Sequence, residues 1–232
     1  MLADCHTHLD GYPDEEVGGV LSRALEAGVG VVVTVGTTLD SSERAVNLAD
    51  RFDGLLAGVG VHPMDLPGPL DIDTMDRLKA LAESSSRIVM VSEIGLDFME
   101  GAPDRAVQYP AFRSQIRLAR ELELPIVFHS REAHDETLRV LKEERAYEVG
   151  GAMHYFQADL RTAQAAIDMG FYISLARPLL RLEHLQTVAA DLSLDDIVLE
   201  TDAAPQPFKA KRENWTEPRH VRDIAGKLAE IK

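Results

Sequence analysis

The sequence predicts a (β/α)₈ barrel that forms a single domain over residues 1–232. Short runs rich in β-branched residues alternate along the whole chain with longer amphipathic stretches, which is typical of repeated βα units. Eight such runs are present, and 232 residues divided by eight leave about 29 per unit, near the lower size of a closed barrel. No linker, low-complexity segment or strong repeat interrupts the pattern. An open doubly wound sheet is the structural alternative.

The limits of the predicted strands come from their flanking residues. Gly28, Gly54 and Gly170 each stand directly before a strand, where the left-handed conformation that ends a helix costs glycine least. Pro110 fits the first turn of a helix, where its missing N–H costs nothing. In chain order the predicted strands are Leu2–His8, Val29–Val35, Leu55–His62, Ile88–Ile94, Ile126–Ser130, Ala152–Phe156, Phe171–Leu175 and Ile197–Thr201.

Composition and charge narrow the class of protein. The longest small and apolar stretch, Gly28–Gly36, is far shorter than the roughly 20 residues that cross a bilayer, so no membrane contact is expected. The first residues lack the basic and apolar regions of a signal peptide, and we expect a cytoplasmic protein. One cysteine excludes an internal disulfide and a cysteine-rich zinc site. The net charge of −15 argues against a broad basic surface that coats nucleic acid. No obligate protein partner is inferred.

His6 and His8 are the first candidate metal ligands. Side chains two residues apart on an extended chain point to the same face, so this pair presents two imidazoles to one ion. Two surface histidines are the simpler interpretation of the pair alone. Asp4 shares their face, and we expect it to orient one of the imidazoles.

Four further candidates lie at the ends of later strands. Glu93 follows an apolar run, where a carboxylate is costly unless an arginine or a metal ion compensates it. His129 and His154 come near the ends of the fifth and sixth strands, and each alone is compatible with a hydrogen-bonded core histidine. Asp202 follows the eighth strand and alone is compatible with a turn aspartate.

Taken together, these six residues predict a metal centre. They fall at the carboxyl ends of five strands, the face where barrel enzymes place their active sites. A catalytic zinc ion typically takes three protein ligands, so six donors fit two divalent ions that share a bridging carboxylate. His62, at the end of the third strand, reaches the same rim and is predicted to bind substrate. The remaining histidines, expected to face solvent from helical stretches, are His134, His184 and His220.

Six segments, in their order and spacing, resemble the TatD family of metal-dependent hydrolases. They are Asp4-Cys5-His6-Thr7-His8-Leu9-Asp10, Gly60-Val61-His62-Pro63, Glu93-Ile94-Gly95-Leu96-Asp97-Phe98, Pro125-Ile126-Val127-Phe128-His129-Ser130-Arg131, His154-Tyr155-Phe156 and Glu200-Thr201-Asp202-Ala203. The resemblance implies a (β/α)₈ barrel and a deoxyribonuclease that removes nucleotides from a DNA end as a 3′–5′ exonuclease. It also implies that one ion is held by His6, His8 and Asp202 and the other by His129 and His154, with Glu93 bridging.

The expected reaction is hydrolysis of a phosphodiester by a water that two divalent ions activate. Asp202 is predicted to orient or deprotonate that water, and Glu93 is the second catalytic residue. Arg131 is predicted to bind a phosphate oxygen, with a surface salt bridge to Glu132 or Asp135 as its alternative. The mixed ligand set fits Zn²⁺, Mn²⁺ or Mg²⁺.

Two other functions use the same residues. A small-molecule amidohydrolase or lactonase would keep the metal site and cleave a different bond, and a catalytically silent scaffold would keep only the metal. Departures from the family pattern lie next to the predicted ligands and affect the choice of substrate more than the binding of metal. They are Gln157-Ala158 and the run Ala203-Ala204-Pro205-Gln206-Pro207. A basic run after the eighth strand, interpreted as a solvated loop rather than a nucleic-acid contact, is Lys209-Ala210-Lys211-Arg212.

Overall fold

Eight parallel strands pair in chain order in a computed structural model that describes residues 1–232. The fold is therefore the predicted (β/α)₈ barrel and not the open doubly wound sheet. The strands are β1 (Leu2–Thr7), β2 (Val29–Val35), β3 (Leu55–Val59), β4 (Ile88–Asp97), β5 (Ile126–Arg131), β6 (Gly151–Met153), β7 (Phe171–Leu175) and β8 (Ile197–Leu199).

One long helix follows each strand and packs on the outside of the barrel. The helices are α1 (Asp14–Glu26), α2 (Leu39–Arg51), α3 (Ile72–Ala82), α4 (Arg105–Glu121), α5 (His134–Glu143), α6 (Leu160–Ile167), α7 (Glu183–Asp191) and α8 (Val221–Ile231). None of them combines the length and the apolar character that crossing a membrane requires.

The turns explain why the units begin and end where they do. Gly28, Gly54 and Gly170 have φ angles of +87°, +80° and +85°, so the predicted left-handed residues stand before β2, β3 and β7. Pro110 was placed wrongly, because α4 begins five residues earlier at Arg105 and contains the proline within its length. A proline inside a helix removes one backbone hydrogen bond, and the rest of this long amphipathic helix compensates for it.

The barrel closes between β1 and the segment after β8. The Asp202 N–H donates to the His6 carbonyl at 3.1 Å, and the His8 N–H donates to the Ala203 carbonyl at 2.8 Å. Asp4, fully buried beneath them, accepts the Thr201 backbone N–H at 2.9 Å. These bonds bring the histidines of β1 beside Asp202, although almost 200 residues separate them in sequence.

Strand ends differ from their predicted positions mainly on the carboxyl side. β1, β3, β6 and β8 end earlier than predicted, so His8, His62, His154 and Asp202 lie in the segments that follow them. β4 instead continues three residues past its predicted end to Asp97. The extension runs beside β5, where a Cβ on Gly95 would lie 2.0 Å from the His129 carbonyl oxygen. Glycine is thus the residue that permits this close approach of the two strands.

Candidate active site

A cavity of about 640 Å³ opens at the carboxyl ends of the strands. This volume lies within the range typical of small-molecule and cofactor sites. Its wall includes every predicted site residue except His6, which lies fully buried beneath it. The lining residues used below are His8, His62, Glu93, His129, Ser130, Arg131, Glu132, His134, His154, Tyr155, Gln157 and Asp202.

Glu93 lies at the centre of the site and is surrounded by imidazoles. Its Oε2 is 3.4 Å from His6 Nε2 and 3.6 Å from His8 Nε2. Its Oε1 is 3.0 Å from His129 Nδ1 and 3.5 Å from His154 Nε2. Oε1 also lies 3.4 Å from His62 Nε2, so Oε2 faces two imidazoles and Oε1 faces three, an arrangement that suits a bridging carboxylate.

The spacing of these atoms fits ligands of a metal ion. Two donors bound to one tetrahedral ion at about 2.0–2.2 Å lie about 3.3–3.6 Å apart. The distances from Glu93 to His6, His8 and His154 fall in this range and exceed an ordinary hydrogen bond. His6 adds a second observation, because it is fully buried and neither of its ring nitrogens has a hydrogen-bond partner. Such an orphaned imidazole is costly unless it binds an ion.

Donor atoms converge in three overlapping groups, each within 4.8 Å. One group joins His6 and His8 to Glu93, and another joins His6 and His154 to Asp202. The third consists of His62, Glu93 and His129. The groups support a divalent-metal site, whereas the number of ions and the division of the ligands between them remain predictions.

Hydrogen bonds on the far side of each ring decide which nitrogen can bind an ion. His8 donates from Nδ1 to the Val35 carbonyl at 3.1 Å, which leaves Nε2 without a proton in the neutral ring. His62 has the opposite arrangement. Its Nδ1 accepts the Met64 backbone N–H at 3.1 Å, so its proton is on Nε2. His62 therefore presents a donor to the cavity, which agrees with its predicted role in binding substrate rather than metal.

Two buried carboxylates support the remaining histidines. His129 donates from Nε2 to Asp97 Oδ2 at 2.9 Å, and His154 Nδ1 lies 3.0 Å from Glu200 Oε1. Glu200 also accepts the Tyr155 N–H at 2.6 Å and the Ser174 hydroxyl at 2.5 Å. The bond to Asp97 orients the His129 ring and selects its tautomer, whereas the contact between His154 and Glu200 is an ion pair without hydrogen-bond geometry.

Asp4 does not orient an imidazole, contrary to our expectation. Its side chain instead binds Thr201 through the backbone N–H and the hydroxyl of that residue. Burial raises the pKa of Asp4 well above its usual value, although these bonds to Thr201 act in the opposite direction. Asp4 thus contributes to barrel closure, and Asp97 and Glu200 occupy the role that the sequence assigned to it.

Proton affinities across the site reflect the competition between burial and the carboxylates. Burial lowers the pKa of His154, but Glu200 and Glu93 outweigh it and raise that pKa to about 10. Burial likewise opposes the Asp202 and Glu93 carboxylates at His8, whose pKa rises to about 9. Burial acts to raise the pKa of Glu93, but the imidazoles, His154 first, hold it well below its usual value. Without metal ions, protons on His8 and His154 therefore compensate the carboxylates that bound cations would otherwise compensate.

Three residues of the cavity wall have strained backbone conformations. Glu132, Tyr155 and Asp202 adopt φ angles of +52°, +46° and +54°, which are uncommon for residues other than glycine. Each stands just after β5, β6 or β8, where the chain turns away from the sheet. Strained residues concentrate where a structure constrains side chains for function.

The remaining residues named in the sequence analysis do not all have the surroundings that we expected. Arg131 lines the cavity and forms neither of the salt bridges considered as alternatives. His184 is exposed as expected, whereas His134 and His220 are half-buried. His134 lines the cavity with its Nδ1 2.9 Å from Ser130 Oγ, so the expectation that it faces solvent is wrong.

Asp97 and Glu200 received no role in the sequence analysis. Both occur within the segments that carry the family resemblance, Asp97 four residues after Glu93 and Glu200 two residues before Asp202. Asp97 reaches His129 because β4 continues past its predicted end. Each is an acidic residue in or next to an otherwise apolar strand, and this feature of the sequence could have identified both.

Comparison with known proteins agrees with this geometry. The family model described as "TatD related DNase" matches residues 3–232. The chain is 33% identical to the "Uncharacterized metal-dependent hydrolase YabD" of Bacillus subtilis, with coverage of 100% of this chain and 91% of that protein. It is 32% identical to the "3'-5' ssDNA/RNA exonuclease TatD" of Cronobacter sakazakii over 91% of this chain and 84% of that protein.

A solved structure shows the same architecture. The crystal structure of YJJV, described as a TatD homolog from Escherichia coli K12, superposes with a TM-score of 0.87 at 28% sequence identity. The alignment covers 99% of this chain and 90% of that one. A match of this extent shows that the two proteins share the barrel fold over nearly the whole chain.

Proposed function

Because the chain belongs to the TatD family of metal-dependent hydrolases, we propose that it is a 3′–5′ exonuclease that hydrolyses phosphodiester bonds of DNA. The observation that carries the proposal is Glu93, whose Oε2 faces two imidazoles and whose Oε1 faces three, all at 3.0–3.6 Å. We propose His6, His8, Glu93, His129, His154 and Asp202 as ligands of two divalent ions, Zn²⁺, Mn²⁺ or Mg²⁺. Such ions would polarise the phosphoryl oxygens and lower the pKa of the attacking water.

In this proposal Asp202 receives the proton of the attacking water. Its carboxylate is 30% exposed to the cavity and lies 3.3 Å from His8 Nε2. Burial acts to raise the pKa of Asp202, but His8 and His154 outweigh it and hold that pKa below its usual value. The side chain is therefore ionised at neutral pH and can accept a proton as the water oxygen bonds phosphorus and the bond to the 3′ oxygen breaks.

His62 and Arg131 supply donors for the phosphate. His62 presents its Nε2 proton to the cavity, 3.4 Å from Glu93 Oε1. Arg131 also lines the cavity and has no carboxylate within ion-pairing distance, so its guanidinium is free to bind phosphate oxygens at two points. A locally cationic centre is compatible with a net charge of −15, because surface carboxylates beyond about 10 Å are largely screened.

The test is metal-dependent loss of nucleotides from the 3′ end of a labelled single-stranded DNA. Wild type is compared with Glu93→Gln, which keeps the shape of the side chain and removes its charge, in added Mg²⁺, Mn²⁺ or Zn²⁺. We expect stepwise shortening by wild type and a reaction about 100- to 1,000-fold slower in the variant, comparable to the loss of a major electrostatic contribution.

Two results would contradict the proposal. Wild type that binds divalent ions and leaves DNA and bis(p-nitrophenyl) phosphate intact, but hydrolyses amides or lactones, would identify a small-molecule amidohydrolase. Metal-loaded protein without activity on any ester or amide would identify a silent scaffold.

A further inference from the structure

Cations without a carboxylate partner concentrate at the mouth of the barrel. Most Lys and Arg side chains of this acidic protein lie within ion-pairing distance of Asp or Glu. Lys142 and Lys232, which have no such partner, lie near the helix ends at the opposite side of the barrel. The other unpaired cations lie on or next to the segments that follow strands; they are Arg105, Arg131, Arg177, Arg181, Lys209 and Arg222.

These mouth cations are not evenly distributed around the rim. The segments after β1 to β4, residues 8–13, 36–38, 60–71 and 98–104, contain no Lys or Arg. They contain five carboxylates: Asp10, Asp65, Asp71, Glu100 and Asp104. The segments after β5 to β8, residues 132–133, 154–159, 176–182 and 200–220, contain six Lys or Arg and six Asp or Glu, so a polyanion is repelled less there than on the first half. Within this second half, the segment after β7 contains two arginines and no carboxylate.

Arg177 and Arg181 belong to a loop of this second half that is joined to the cavity wall, although neither lines the cavity itself. They lie in the segment after β7, which runs beside the segment after β6, where the Phe156 N–H donates to the Ser174 carbonyl at 3.0 Å. His184, at the start of α7, lies with Nε2 3.3 Å from the carbonyl of Gln157, a cavity residue. The loop that bears both arginines is therefore attached to the cavity wall.

Both arginines are available to bind a ligand. Neither Arg177 nor Arg181 forms a side-chain hydrogen bond or an ion pair within the protein. Arg181 is exposed and Arg177 is half-buried.

We propose that a single-stranded polynucleotide with its 3′ end in the cavity leaves over the loop after β7, where Arg177 and Arg181 bind its backbone phosphates. Phosphate contacts of this kind position a strand without selecting its sequence. Lys209 continues the path on the next loop, beside Phe208, whose 80% exposed ring offers a surface on which a base stacks. The neighbouring Lys211 and Arg212 are paired with carboxylates and are outside this path.

The inference rests on the proposed exonuclease function, and the experiment separates the two. The double variant Arg177→Ala/Arg181→Ala is compared with Lys142→Ala, which removes an unpaired, exposed cation from the other end of the barrel. The substrates are a 20-nucleotide single-stranded DNA and bis(p-nitrophenyl) phosphate, which has no strand to guide. Thermal unfolding of each variant verifies its fold.

For the double variant we expect KM for the 20-mer to rise about 10-fold more than KM for the small ester. The dependence of log KM on log salt concentration should become shallower by about 1.4, because each lost contact to a single strand removes about 0.7. Lys142→Ala should leave both quantities unchanged. The charge reversal Arg181→Glu, at an exposed position, should raise KM for the 20-mer further.

A double variant that matches Lys142→Ala on the 20-mer, in KM and in salt dependence, overturns the inference while the exonuclease function stands. Wild type without activity on either substrate overturns the proposed function, and the inference with it. Equal rises in KM for the 20-mer and the small ester also overturn it, because the arginines would then act on the cavity rather than on the strand.

Discussion

The two pairs of histidines around Glu93 are held in different ways. His6 lies in β1 and His8 directly follows it, and the backbone places them through the Val35 carbonyl and the closure bonds between β1 and Asp202. His129 lies in β5 and His154 directly follows β6, and each is backed by a buried carboxylate, Asp97 or Glu200. The first pair depends on the fold itself, whereas the second depends on two additional charged side chains.

This difference has an electrostatic consequence. A carboxylate behind an imidazole raises the basicity of the ring and so strengthens it as a ligand, while a backbone carbonyl orients the ring with less effect on charge. The second pair therefore combines stronger ligands with greater sensitivity to single substitutions outside the ligand set. The predictions below test this contrast.

Replacing one predicted ligand of each pair should cause the largest loss of bound metal and of activity. We expect His8→Ala and His129→Ala each to lower the number of bound divalent ions from two to one, as measured by elemental analysis. Activity should fall more than about 100-fold in both, because even the outer partners of a ligand are worth about 10–100-fold. His184→Ala, an exposed histidine on α7, is the matched control. Loss of all metal in either variant would indicate one shared centre and would remove the distinction between the pairs.

Removing the carboxylates behind the second pair should have an intermediate effect. Asp97→Asn and Glu200→Gln keep the size of the side chain, and we expect each to weaken one of two binding events by about 10–100-fold in calorimetric titrations with Zn²⁺. Asp104→Asn, which alters an exposed carboxylate that caps α4 close to Asp97 in sequence, is the control. An equal loss in both binding events would show that the carboxylates act on the whole centre.

The fold was predictable because its information is local. Alternating β-branched and amphipathic segments, and the glycines before β2, β3 and β7, define the repeated units without knowledge of their contacts. The carboxyl ends of strands were predicted less well, since β1, β3, β6 and β8 end early where the chain turns towards the cavity. Those ends depend on closure bonds and site contacts between distant residues, which have no local pattern.

The predictions for the site also succeeded where the information is local and failed where it is not. All six predicted ligands lie together around the cavity, because strand ends in a barrel share one face. The partners behind them were not predictable: Asp4 binds Thr201 rather than an imidazole, and Asp97 reaches His129 only because β4 continues past Glu93. A partner on another strand is determined by register and side-chain length, and these emerge only in the folded barrel.

The smallest expected effect concerns the pH dependence of the metal-free protein. The pKa values of His8 and His154 rise from 6.5 to about 9 and about 10, because carboxylates outweigh burial at both. A raised folded-state pKa stabilises the fold fully below about pH 6.5, and this contribution is lost as the pH passes through the folded-state values. We therefore expect the Tm of protein treated with chelator to fall by several degrees between pH 7 and pH 10, since about 1 kcal/mol corresponds to 2–4 °C at this chain length.

Divalent ions should reduce that fall, because a bound cation replaces the protons that compensate the carboxylates. Glu200→Gln removes the carboxylate behind His154 and should diminish the pH-dependent loss of Tm, leaving the part that belongs to His8. A melting temperature that falls equally in wild type and Glu200→Gln would show that the charge behind the second pair does not distinguish it from the first. A melting-temperature fall confined to wild type would instead show that most of the raised proton affinity belongs to His154, a buried ring with two nearby carboxylates.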